Sequence, residues 1–128
     1  MKRVILLLLV SLAAGGAWAQ TGKGRTYNLI FIGNSITEGA LHADKAKTAP
    51  PVAAAEYVGR MMSGDVNFRN CGRPGATTVD FLPERGADFR RVEQAIRELR
   101  DIRSGPIVFP IMLGPTDSAS SGPSGPPG

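Results

Sequence analysis

The sequence predicts an α/β domain built on a parallel sheet, and three observations lead to this fold class. Residues 27–33 form a continuous apolar run, which is typical of a strand buried on both faces. A short second strand at 66–70 and a further apolar run at 107–113 alternate with segments of helical periodicity. Right-handed crossovers between strands in this order make the strands parallel. We therefore expect a three-layer α/β/α sandwich that contains the first three strand–helix units of such a sheet.

The first half of the chain is expected to run from strand to loop to helix to strand. After the strand at 27–33, residues 34–48 are predicted to form a turn and a polar loop. Pro50 and Pro51 then open a helix over residues 52–62, because proline is favoured in the first helical turn. The short strand at 66–70 follows, and it leads into a loop that contains Gly72 and Gly75.

The second half contains the helix with the clearest periodicity. Asp88 is predicted to cap it, and Glu93 and Arg97 are predicted to pair at i, i+4. Its apolar stripe consists of Phe89, Val92, Ile96 and Leu99. The arginines of this helix alternate with acidic residues, which indicates a solvated face rather than a nucleic-acid site.

The third strand is predicted to carry an anomaly and an open edge. Pro110 lies within the run at 107–113, although a central strand has no place for a residue without an N–H. Without a fourth strand beside it, this strand leaves an exposed apolar edge. Residues 118–128 consist of Ser, Ala, Gly and Pro and are predicted to be a loop or a disordered tail.

Composition and the N-terminus exclude several classes of protein. With one cysteine and one histidine in 128 residues, the chain is neither a disulfide scaffold nor a zinc module. A basic head, an apolar run and an Ala-x-Ala ending predict a signal peptide over residues 1–19, with a short linker at 20–26. Cleavage leaves 13 basic and 11 acidic residues, a net charge of +2. We therefore expect a secreted or periplasmic protein without stable membrane insertion, nucleic-acid partner, cofactor or metal.

Polar clusters follow each of the three predicted strands, where ligands of open parallel sheets bind. Ser35 comes shortly after the first strand, at the start of a helical turn; this placement suits a nucleophile, and equally an N-cap residue. In the second loop, Gly75 is suited to offer a backbone N–H to a substrate oxygen, or is simply a turn residue. In the third, at 114–118, Thr116 can present a side-chain donor or merely leave the strand.

Together the three loops resemble the conserved blocks of the SGNH hydrolases, the GDSL-like esterase and lipase family. Residues 31–39, Phe-Ile-Gly-Asn-Ser-Ile-Thr-Glu-Gly, resemble the first block in the variant common among secreted bacterial carbohydrate esterases. Residues 70–78, Asn-Cys-Gly-Arg-Pro-Gly-Ala-Thr-Thr, resemble the second. Residues 111–118 fall where the third block, Gly-x-Asn-Asp, is expected. The resemblance implies that residues 27–117 are the N-terminal portion of an SGNH domain with a flavodoxin-like fold.

The resemblance also implies a chemistry. Ser35 is implied to be the nucleophile of an acyl-enzyme mechanism, with an oxyanion hole made from its own N–H, the Gly75 N–H and a side chain of the third block. The implied substrate is a short-chain ester, such as an acetyl group on a carbohydrate. Thr116 stands where the family has asparagine, and losing an oxyanion donor lowers turnover by about 10² to 10³.

The base of the implied triad is absent from the printed sequence, since no Asp-x-x-His block occurs in it. The chain is therefore expected to be truncated and, by itself, to show no serine-dependent turnover. His42 is interpreted as a loop histidine that nothing in the sequence orients. Cys71 is interpreted as a small buried residue rather than a partner of His42. Two alternatives remain open: a catalytically dead secreted domain that binds a glycan, and a flavodoxin-like binder of a small phosphate ligand.

Overall fold

The first apolar run forms the central strand of a parallel sheet. The computed structural model describes residues 24–102 and 105–118; the predicted signal peptide at 1–19 lies outside these ranges, as does all of the predicted tail at 118–128 except Ser118. Strand β1 spans Thr26–Gly33 and pairs on one side with β2, Asp65–Asn70, and on the other with β3, Ile107–Val108, and β4, Ile111–Met112. All pairings are parallel. The predicted α/β class, a parallel sheet flanked by helices, is confirmed.

Four helices connect or follow the strands. Two are short: α1 spans Ser35–Glu38 and α2 spans Lys45–Thr48. Helix α3 covers Pro50–Met62 and helix α4 covers Ala87–Ile102. Two single 3₁₀ turns, Val79–Phe81 and Pro83–Arg85, lie between β2 and α4. The segment at 34–48, predicted as turn and polar loop, thus contains α1 and α2, which an ion pair between Glu38 and Lys45 joins.

Successive side chains of β1 point to opposite faces of the sheet, and this divides the core into two layers. Leu29 and Phe31 face α3 and pack with Ala55, and the Phe31 and Phe68 rings meet edge to face at a centroid separation of 6.2 Å. Ile30, on the other face, packs against α4; its buried neighbours there are Cys71, Val92, Ala95 and Leu99. A side-chain period of two on the central strand thus produces the three-layer arrangement that the sequence predicts.

Pro110 explains why the third strand is divided into β3 and β4. The register of β1 with Ile107–Val108 continues without a slip to Ile111–Met112, since Asn28 pairs with Ile107 and Ile32 with Ile111. In this register the N–H of residue 110 would donate to the carbonyl of Ile30, which proline cannot do. The Pro110 carbonyl still accepts from the Ile32 N–H at 3.0 Å. The strand therefore runs on past the proline with one ladder bond missing.

The outer side of β3 and β4 carries exposed apolar side chains. Val108, Phe109, Ile111 and Met112 are between 41% and 63% exposed. Within the described ranges these strands pair only with β1, as expected for the open edge predicted above. No helix among the described residues combines the length and apolar character required to cross a membrane.

Two predictions about α4 are wrong in detail. The helix begins at Ala87, so Asp88 lies inside the first turn and not at the cap. Its buried carboxylate instead accepts from Arg73 Nε at 2.6 Å and from Arg91 at 3.3 Å. Glu93 makes no ion pair with another described residue, and the helix is tied to the sheet by Glu98, which pairs with Arg69 at 2.7 Å. The pairs Asp88–Arg73 and Glu98–Arg69 join residues that are distant in sequence, so helical periodicity does not reveal them.

Candidate functional site

The carboxyl ends of the strands bring together the three loops that the sequence singles out. Asn70, the last residue of β2, holds the first two loops together: its Nδ2 donates to the Thr37 carbonyl at 3.0 Å, and its Oδ1 accepts from the Gly72 N–H at 2.9 Å. The Arg73 N–H also donates to the Gly33 carbonyl at 3.0 Å. Helix α1 is thus held by hydrogen bonds from the β2 loop.

Two glycines allow this close approach. A Cβ on Gly72 would lie 2.5 Å from the Glu38 backbone nitrogen. A Cβ on Gly33 would lie 2.0 Å from Thr37 Oγ1 and 2.9 Å from the Met112 carbonyl oxygen. Such distances are shorter than van der Waals contact, so a side chain at either position would push the loops apart. The glycines of the two blocks are therefore required for packing of one loop on another.

The third loop is tied to the second by Asp117. Its Oδ1 accepts from the Thr78 backbone N–H at 2.9 Å and from the Thr78 hydroxyl at 2.5 Å, while Oδ2 accepts from the Gly114 N–H at 3.1 Å. These hydrogen bonds, the one from the Thr78 side chain above all, hold the pKa of the Asp117 carboxyl below its ordinary value. The ionised form of Asp117 is thus the form that links the loops.

Arginine 73 fixes the second loop to α4. It bridges Asp88 at 2.6 Å and Asp80 at 3.3 Å. Hydrogen bonds from the backbone and the hydroxyl of Thr77 hold the pKa of Asp80 below its ordinary value. Arg73 and Asp80 thus pair across the stretch that carries Gly75, and the Arg73–Asp88 pair joins that stretch to α4.

Ser35 is the first residue of α1, and it is not the N-cap. The cap is Asn34, whose Oδ1 accepts from the Ile36 N–H at 3.0 Å, so that alternative for Ser35 is wrong. Ser35 is half-buried and lines a cavity of about 240 Å³. The other lining residues are Ile36, Gly39, Ala40, Leu41, His42 and Pro50. The serine hydroxyl is thus left available beside a small, mainly apolar cavity.

A second apolar groove adjoins the first. It has a volume of about 220 Å³ and shares Pro50 with the cavity of Ser35. It is lined by Thr37 of α1, the start of α3 and the β4 residues Ile111 and Met112, among others. The carboxyl edge therefore offers two adjoining spaces on the α3 side of the serine.

Gly75 and Thr116 lie in the neighbouring loops and do not line the cavity of Ser35. Gly75 is exposed, and there is open space where a Cβ would be. Its φ of +75° is the reason why this position favours glycine. Thr116 is half-buried in the turn that the Gly114–Asp117 hydrogen bond closes. The structure thus places Gly75 in the loop that is hydrogen-bonded to α1, and Thr116 in the loop that Asp117 ties to Thr78.

His42 is the residue whose surroundings differ most from the sequence interpretation. It lines the cavity of Ser35, and its Nδ1 lies 3.0 Å from the Thr48 hydroxyl. Its ring is therefore oriented by a side chain of α2, which sequence reasoning treated as polar loop. The signal that could have revealed it is weak: a threonine six residues after the histidine, in a segment that forms a short helix.

Cys71 lies away from this cavity. It is 4% exposed and packs in the core on the α4 face, as interpreted from the sequence, and burial raises the pKa of its thiol. Its Sγ donates to the Arg91 carbonyl at 3.9 Å, and its backbone N–H donates to the Phe31 carbonyl at 2.8 Å. Among residues 24–102 and 105–118, no three His, Cys, Asp or Glu side chains are grouped so as to hold a metal ion.

Sequence reasoning missed Asn70 and Asp117 as positioning residues. Both are parts of the quoted motifs, but their roles depend on contacts with residues 33 and 39 positions away in sequence.

Comparisons of the chain with protein families, with curated proteins and with solved structures found no match.

Proposed function

We propose that this protein is a secreted serine esterase of the SGNH type, which removes short acyl groups, such as acetyl, from a carbohydrate ester through an acyl-enzyme on Ser35. One observation carries the proposal. The three loops that resemble the family's blocks are joined at one edge of the sheet by Asn70 and Asp117, and Ser35 lies there beside a cavity.

The cavity favours a small substrate group. Its walls next to Ser35 are mainly apolar, with Ile36, Ala40 and Pro50 among them. A volume of about 240 Å³ accepts an acyl group and part of an alcohol, but not a long lipid chain. The adjoining groove at Pro50 provides space for the remainder of the ester.

Thr116 stands in the third loop at the place where the resembled family has its asparagine. In the resembled family an asparagine amide at this place donates to the oxyanion. A threonine hydroxyl is also a donor, but it is carried on a shorter, β-branched side chain. We expect the oxyanion of this chain to be stabilised less well than in proteins with the asparagine.

The test is acylation of Ser35 by an aryl acetate, with added imidazole as an external base, followed by peptide mass spectrometry. Ser63, which caps α3, is the internal reference. We expect Ser35 to be acetylated at least about 100-fold faster than Ser63, because oxyanion donors are worth about 10² to 10³. Ser35→Ala should abolish labelling of that peptide, whereas Ser63→Gly should leave it unchanged.

Substitutions of Thr116 provide a second test of the proposed oxyanion donor. Thr116→Asn should raise the rate of Ser35 acetylation by about 10-fold or more, and Thr116→Val should lower it, since valine has the same shape but no donor. Equal labelling of Ser35 and Ser63 would refute the proposed function and favour a binding role for the domain.

A further inference from the structure

We propose that Asp117 is a positioning residue for the acylation of Ser35, because its carboxylate holds the side chain of Thr116 in place relative to the backbone N–H of Gly75. The proposal rests on the proposed function, in which those two groups stabilise the oxyanion, and it adds a residue that acts through them rather than on the ester. Three features carry it: a common origin of the three loops, two donors without an acceptor, and a tie between the second and third loops.

The three loops leave the sheet beside one residue, Gly33. The Arg73 N–H donates to the Gly33 carbonyl at 3.0 Å, and Met112 pairs with Gly33 in the register of β4 with β1. From there, the serine and the second-loop glycine are each two residues further along their loops, and the third-loop threonine is four residues further. The loops therefore start from one point, and the contacts between them decide where the donors lie.

Both donors are left without an acceptor in the part of the chain that the structure describes. Gly75 lies at the third position of a turn that the Ala76 N–H closes on the Arg73 carbonyl at 3.1 Å, with Pro74 before it. A proline second and a glycine of φ +75° third are typical of a type II turn. No residue of the described ranges accepts from the Gly75 N–H or from the Thr116 hydroxyl. Both groups are thus available to a substrate oxygen.

The second and third loops are tied to each other at Asp117. In the described part of the chain, the hydrogen bonds between residues 71–80 and 113–118 all end on this residue, whose Oδ1 accepts from the N–H and the hydroxyl of Thr78. Thr78 lies three residues after Gly75, and Asp117 directly follows Thr116. The tie is therefore made next to both donors, and it sets their separation.

The second carboxylate oxygen fixes the turn that carries Thr116. Asp117 Oδ2 accepts from the Gly114 N–H at 3.1 Å, and the Gly114 carbonyl accepts from the Ser118 N–H at 2.9 Å. An asparagine has one oxygen and an amide group that only donates, so it can serve the Thr78 donors or the Gly114 donor but not both. Asp117→Asn thus removes one side of the tie and keeps the shape of the side chain.

The experiment measures acetylation of Ser35 by an aryl acetate in the full chain, with imidazole as the external base. Oxyanion donors are worth about 10² to 10³, and Asp117→Asn displaces one rather than removing it, so we expect this variant to react at least about 10-fold more slowly than the parent chain. Asp65→Asn is the matched control, because Asp65 is an exposed aspartate at the opposite, amino end of β2. Its rate should equal that of the parent chain.

A double-mutant cycle with Thr116 separates positioning from a general loss of structure. In the parent chain, Thr116→Asn should be acetylated at least about 10-fold faster than Thr116→Val. In the Asp117→Asn background the two should differ by less than about 2-fold, since residue 116 is no longer held where its side chain reaches the oxyanion. An Asp117 that only stabilised the fold would leave this ratio the same in both backgrounds.

The same link is tested from its other end without a change of charge. Thr78→Val lacks the hydroxyl that donates to Asp117, whereas Thr78→Ser retains it. Acetylation of Ser35 should be slower in Thr78→Val than in Thr78→Ser. Hydrogen exchange provides a readout that does not depend on activity: the amide of Thr78 or of Gly114 should exchange faster in Asp117→Asn than in the parent chain. Unchanged exchange at both positions would overturn the proposal.

The outcomes separate this proposal from the function on which it rests. Suppose that Ser35 is labelled faster than Ser63 in the parent chain. An equal rate in Asp117→Asn, or an unchanged ratio between the Thr116 variants, then overturns the positioning role and leaves the esterase site standing. If Ser35 is labelled no faster than Ser63 in the parent chain, both proposals are overturned.

Discussion

Gly72 and Gly75, in the loop after β2, are required for different physical reasons. Substitutions at the two positions distinguish these reasons. Gly72 lacks space for a side chain: its Cβ would lie 2.5 Å from the backbone nitrogen and 2.9 Å from the Cα of Glu38. Gly75 has ample space but a φ of +75°. Substitution of Gly72 is therefore a packing perturbation, and substitution of Gly75 a conformational one.

The cost at Gly72 follows from what it contacts. The neighbouring atoms belong to the backbone of α1, which cannot move aside by rotating a side chain, and overpacking of this kind costs about 1–3 kcal/mol. A displaced α1 also weakens the hydrogen bonds of Asn70 to Thr37 and to Gly72, each worth about 0.5–1.5 kcal/mol. We expect Gly72→Ala to lower the free energy of unfolding by about 2–4 kcal/mol.

The matched change at Gly75 is milder and has a different chemical dependence. An alanine forced into the left-handed region costs about 1–2 kcal/mol, and asparagine tolerates that region better. Gly75→Asn should therefore be more stable than Gly75→Ala. At position 72 the order is reversed, because the larger side chain makes the clash with Glu38 worse.

Urea unfolding followed by circular dichroism measures all four variants. A loss of 2–4 kcal/mol corresponds to a fall of roughly 1–2 M in the urea midpoint. Gly72→Ala should also slow acetylation of Ser35, since it displaces the helix on which the serine lies. A midpoint for Gly72→Ala equal to or above that of Gly75→Ala, or the same order of alanine and asparagine at both positions, would refute the reasoning.

Two further predictions concern the third loop and the third strand. The folded-state pKa of Asp117 is lowered, so its contribution to stability is present above the ordinary carboxyl pKa near 4 and is lost as the pH falls through the lower value. The urea midpoints of the parent chain and of Asp117→Asn should therefore differ at pH 6 and converge towards pH 3. A difference that stays constant with pH would contradict the link to Thr78. Pro110→Ala restores the N–H that faces the Ile30 carbonyl, and we expect hydrogen exchange to show a protected amide at position 110; rapid exchange there would mean that the ladder is broken for another reason.

The strands and helices of this fold were largely predictable because their signals are local. Continuous apolar character marked β1, and helical periodicity marked α3 and α4. The prediction failed where a local signal had two readings. Asn34 and Ser35 are both good capping residues and adjoin each other, and Asp88 is both a capping residue and a carboxylate that can pair with arginine. Only the three-dimensional positions of Ile36, Arg73 and Arg91 decide between these roles.

The sequence by itself determined the parallel α/β class, the three loops at the carboxyl edge and Ser35 as the residue of interest. Only the tertiary structure decided how these loops are joined and what faces the serine. Asn70 contacts Thr37, and Asp117 contacts Thr78, across more than thirty residues of chain. His42 acquires its orientation from a hydroxyl in a helix that has no clear sequence signal. Periodicity reports which face of an element is apolar, whereas hydrogen bonds between polar side chains depend on distances that only the assembled sheet establishes.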